Sequence, residues 1–143
     1  MSIRNDFRTY LLTKSAITAL VGSGDSARVY PGFAEQGAAL PYIVLNTISD
    51  VPDHDCDGAN TWAVARIQVD AYGRTPDAAD AVIEKIRLAC DGKSGAMGDS
   101  TVHWCFKEDG DDTPEPAPAN EARRRHRTRN DYRLAYVQSL PTL

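Results

Sequence analysis

The side chains able to do chemistry in this 143-residue chain gather at a few places. Asp53-His54-Asp55-Cys56-Asp57 strings together five metal-capable groups. Metal sites draw ligands at helical or strand spacing or from separate elements, and neighbours in a loop point apart. The calcium-loop pattern also lacks its closing glutamate, so the spacing predicts a solvated acidic loop and no metal. His103 and Cys105 alternate on a predicted strand and would share a face. A catalytic thiol needs hydrogen-bond reach to its base and an electropositive pocket, and the commoner outcome is a half-buried edge-strand pair. No serine or cysteine lies in a strand–turn–helix elbow. Gly22-Ser23-Gly24 follows a helix and lacks the lysine of a phosphate loop, and the glycine-rich stretch 92–98 has Lys93 but no helix after it. These readings predict no catalytic residue, no cofactor and no enzyme.

One local feature stands out. Residues 123–133 hold six arginines against one aspartate, a local +5, so with a total charge of −4 the rest of the chain carries −9. Such two-ended charge speaks about partners. As a strand, the run would put Arg123, Arg125, Arg127 and Arg129 on one face, with Arg124 and His126 on the other. Three uses are open: a protein contact, a non-specific DNA contact by counterion release, or a solvated loop. No aromatic is interleaved for base stacking, which favours the protein contact. The strip could also meet the acids Glu108, Asp109, Asp111, Asp112 and Glu115 on neighbouring copies.

The elements that would hold these groups follow from periodicity. Ser2 caps a helix whose face is Ile3, Phe7, Tyr10 and Leu11; Thr13 or Ser15 either continues it or restarts it toward Ile17, Leu20 and Val21, and Gly22 stops it. A strand is predicted over residues 42–48 and a clearer one over 61–72, where Ala63, Ala65, Ile67, Val69 and Ala71 face one way. Residues 51–58 read as the connection between them. Thr75-Pro76-Asp77 starts the second helix, with Ala79, Val82, Ile83, Ile86 and Cys90 inward. Residues 93–100 read as loop, 101–107 as a strand, and 132–137 as the closing strand. The acid- and proline-rich stretch 108–122 is expected to be a mobile excursion. The fold class is α+β: an antiparallel sheet of about four strands with two helices on one face, as a single domain over 1–143.

Composition agrees with a globular protein, at 42% hydrophobic and 25% charged residues. No apolar run approaches the ~20 residues that span a bilayer, and none resembles a secretory signal, so no membrane partner is expected. Three cysteines without paired spacing suggest reduced thiols.

A resemblance adds to this. Arg28-Val29-Tyr30-Pro31, then Gln36-Gly37-Ala38-Ala39-Leu40-Pro41-Tyr42-Ile43-Val44, resembles the opening of the tail completion family of long-tailed, siphovirus-like phages and phage-derived particles. Arg66-Ile67-Gln68-Val69-Asp70-Ala71-Tyr72, the helix at 78–90 and the closing Tyr132-Arg133 continue the likeness in order. The resemblance implies a ring subunit, typically a homohexamer, that caps the tail tube, ends its elongation and joins tail to head. Its partners would be its own copies, the tail tube protein and a head or neck connector, with DNA passing through the channel. Its place would be the virion tail or neck, assembled in the bacterial host cytoplasm. Head closure or another neck ring is the near alternative, and a nucleic-acid-binding module the distant one. The acid–proline stretch and the arginine run are not features associated with the family.

Overall fold

A computed structural model of the chain describes residues 2–56, 58–115 and 125–138. The order is α1 (Ile3–Leu11), α2 (Ser15–Val21), β1 (Val29–Pro31), β2 (Tyr42–Asp55), β3 (Gly58–Gly73), α3 (Pro76–Cys90), β4 (Gly95–Met97), β5 (Ser100–Glu115) and β6 (Arg125–Val137). The six strands form one sheet in the order β1-β2-β3-β6-β5-β4. The class is α+β, but among the described residues the sheet has six strands rather than four and is mixed, because β1 runs parallel to β2. The two added strands are three residues each, too short to carry a period of their own.

Among the described residues there are three α-helices rather than two, because the first stripe breaks. Leu12, Thr13 and Lys14 turn back with amide bonds to Arg8, Tyr10 and Leu11, and α2 restarts from Lys14. Ser2 caps α1 by accepting from the Asn5 amide, and Thr75 caps α3 by accepting from the Ala78 amide. Ile3, Phe7 and Leu11 of α1, Ile17 and Val21 of α2, and Val82, Ile83 and Ile86 of α3 join the inward residues of β3 and β6 in one buried cluster. The helices therefore cover one face of the sheet. The Tyr10 hydroxyl donates to the Ala89 carbonyl at 2.6 Å, tying α1 to the end of α3. A Cβ at Gly73 would lie 2.6 Å from the Ala79 amide nitrogen, so only glycine lets α3 start so close to β3.

The main departure from expectation is strand length. Residues 51–55 continue β2 instead of forming a connection. Pro52 is tolerated because its stretch of β2 lies past the short β1, and a register irregularity follows it between Pro52 and His54. Likewise Glu108–Glu115 are not an excursion but the second half of β5, paired with β6 through Glu115↔Arg125. Intrinsic preference opposed this, and cross-strand charge pairing overrode it. Residues 116–122 of the expected excursion lie outside the described residues.

Candidate interaction surface

The face of the sheet away from the helices carries the charged and aromatic side chains that the sequence singles out. Its residues run in rows across β2, β3, β6 and β5. At one end Val51, Val64, Ala135 and Trp104 lie side by side, flanked by the Trp62–Val137 pair. Val51, Phe106 and Val137 are 61, 52 and 42% exposed. Trp104 and Phe106 stack with ring centroids 5.8 Å apart.

The middle rows are ionic. Arg66 stands directly opposite Arg133, and Asp131 opposite Asp109, two like-charge pairs that would repel. Diagonal contacts relieve both. Asp131 accepts from Arg66 Nη2 at 2.5 Å and Nε at 3.1 Å. Arg129 lies 3.1 Å from both Asp109 and Asp111 and 3.5 Å from Asp131. Glu108 sits 3.7 Å from Arg66 and 3.8 Å from Arg133. The hydrogen bond to Asp131 and the surrounding acids hold the Arg66 guanidinium still more firmly charged. Asp131 is 1% exposed although it belongs to the helix-free face, because Arg66 and Arg129 lie over it.

At the far end Tyr42 and Tyr72 stack at 4.8 Å, with Tyr30 edge-on to Tyr42. Arg125 donates to the Tyr42 hydroxyl at 2.6 Å and lies over the Tyr72 ring. Arg127 donates to Asp70 at 2.8 Å; burial works against its charge, and the Asp70 contact, with Tyr72 and Asp111 nearby, more than offsets this. Arg125, Arg127 and Arg129 thus share one face, as alternation requires, while Arg123 lies outside the described residues. What sequence reasoning missed is their company. The acids of β5 compensate arginines of the same chain, and two tyrosines distant in sequence supply aromatic neighbours that the run itself lacks. Strand length was the missing signal: had 108–115 been read as a strand, Asp111 would have fallen opposite Arg129, with Asp109 diagonal to it.

The other sequence-level candidates are dispersed. A register shift between Val102 and Trp104 inserts a residue, so His103 and Cys105 do not share a face. His103 is exposed and meets Trp62 edge-on at 6.5 Å, while Cys105 is fully buried. Burial pushes the Cys105 thiol up to about 12 and the Cys90 thiol well above its usual range, which suits packing and not nucleophilic attack. Cys56 and His54 are exposed, and among the described residues no group of three His, Cys, Asp or Glu is placed to hold a metal. Asp6, buried at 2%, accepts from the Ser100 hydroxyl and the Asp99 amide. It latches α1 to the β4–β5 turn, a role its position in a first helical turn did not reveal.

The family described as tail completion protein gp17 matches residues 6–135. The chain belongs to this family. It is accordingly a structural protein of a phage tail, and the resemblance seen in the Val29-Tyr30-Pro31 and Leu40-Pro41-Tyr42 segments marks true membership. Among solved structures it is similar to a chain of the virion of a native gene transfer agent particle, with a TM-score of 0.71 and 16% identity over 95% of both chains. At that identity the likeness speaks for a shared fold. No curated protein matches it by sequence.

Proposed function

We propose that the protein is one subunit of a closed homohexameric ring that caps the phage tail tube, ends its elongation and joins the tail to the head or neck. The observation that carries this reading is the tail completion family match over residues 6–135. The similar chain in the gene transfer agent virion supports it through the fold. The whole of 1–143 acts as one domain, and its partners are its own copies, the tail tube protein and the neck connector. It works in the virion tail or neck after assembly in the bacterial host cytoplasm.

The arginine strip is best read as protein-facing, axial or lateral. Arg127 and Arg129 already engage carboxylates, which leaves less free charge for counterion release on DNA than the bare run suggests. The same pairing argues against the nucleic-acid-module reading. Electron micrographs of particles lacking the protein test the role. Tails of uncontrolled length are the expected result. Tails of normal length lying apart from heads would replace termination with head joining.

A further inference from the structure

Two features of the surface remain without a use. One is the apolar end of the helix-free face, where Val51, Val64, Trp62, Trp104, Phe106 and Val137 form an aromatic floor. Arg66 and Arg133 border this floor, and Arg133 is 56% exposed with Glu108 at a loose 3.8 Å. Exposed apolar ground of this kind rimmed by polar groups marks a protein contact, and aromatic residues with arginine are the composition of interface centres. The other is Phe33, 83% exposed, in the segment between β1 and β2. Across residues 32–41 the only charged side chain is Glu35, two residues from that ring. The two features are well separated. The concavity beside Phe33 is lined by Tyr42, Tyr72 and Arg125, and the one at the apolar end by Val51, Trp62 and Val64.

We propose that Phe33 of one copy seats on the Trp104–Phe106 floor of the next copy, with Glu35 reaching Arg133. An exposed apolar knob with an acid beside it, and an aromatic floor with cations beside it, are complementary in shape class and in charge. Both belong to the same chain, so no second protein is needed to explain either. They lie at different places on the subunit, so the contact is head-to-tail, and a head-to-tail contact that closes makes a ring. The inference rests on the ring reading above and supplies its lateral interface.

The test uses the full chain with Cys56→Ser, which removes the exposed thiol and leaves Cys90 and Cys105 buried. Gln36→Cys marks the knob side and Ser49→Cys the floor side; both positions are exposed. A short bismaleimide should give a ladder of cross-linked oligomers with the double variant, and none with either single variant. Phe33→Ala should weaken association at least tenfold while leaving the thermal midpoint unchanged. Glu35→Lys should weaken it too, and Arg133→Glu should restore it. Rings by mass photometry with no ladder from the double variant would overturn this interface and leave the ring standing. A cross-linked dimer from a single variant would show a two-fold contact and overturn it as well. A strict monomer, in solution and on tail tubes, would overturn the ring reading and this inference with it.

Discussion

Replacing Asp131 by asparagine should destabilise the protein by about 2 kcal/mol, although the residue lies on the sheet face turned away from the helices. The carboxylate is 1% exposed and faces Arg66 at 2.5 Å and Arg129 at 3.5 Å. Removing one member of a fully buried ion pair costs roughly 3–5 kcal/mol, because the remaining charge is left uncompensated. Two facts lower that figure here. The Arg66 side chain is 35% exposed, so water screens it. Each arginine also keeps another acid, Glu108 at 3.7 Å for Arg66 and Asp109 and Asp111 at 3.1 Å for Arg129. What remains is about 2 kcal/mol, or a fall in melting temperature of about 4–8 °C for a chain of this size. Urea denaturation of the wild type and the variant, at low salt and at 1 M NaCl, measures it. The wild type should lose little in salt, since buried pairs are screened weakly. A loss under about 0.5 kcal/mol, the range of ordinary surface substitutions, would refute the reasoning. The ion pairs of this face would then be solvated decoration, with Arg127 and Arg129 available to a partner or DNA.

Ile86→Ala, at a fully buried position of α3, should cost about 2–5 kcal/mol by denaturation, and an unchanged midpoint would mean that the helix does not pack on the sheet. Gly73→Ala should destabilise measurably, since its Cβ would meet the Ala79 amide at 2.6 Å; wild-type stability would mean that the start of α3 yields. In native protein a thiol reagent should label Cys56 alone, with Cys90 and Cys105 reacting only on unfolding. The contribution of the buried thiols to stability should be full below about pH 8.5 and fall above it. The unfolded chain releases the Cys105 proton near its ordinary value of 9, whereas the folded chain holds it to about 12. The fall should be about 1.4 kcal/mol per pH unit for each such thiol, and a flat urea midpoint from pH 8 to 11 would contradict it.

The periodic parts of this protein were legible without coordinates, because their signals are local. The Ala63-to-Ala71 alternation of β3 and the Thr75-Pro76 start of α3 each contain enough residues to define a face or a cap. Order and turn residues also carried the family resemblance, which needs no contacts. Other features depended on which strand lies beside which. The three-residue β1 is a strand through its parallel pairing with β2, and Arg28 just before it donates to the Pro41 and Leu20 carbonyls. Glu108–Glu115 are a strand because β6 offers them a ladder and arginines at the right register, against their own proline- and acid-rich preference. Tyr42 and Tyr72 meet Arg125 only because β2, β3 and β6 are consecutive in the sheet. Charge is the sharpest case. The sequence sets +5 over residues 123–133, but how much of it a partner can feel depends on distances of about 3 Å to acids elsewhere in the chain. A Coulomb interaction is a function of separation and dielectric, and both are decided by packing.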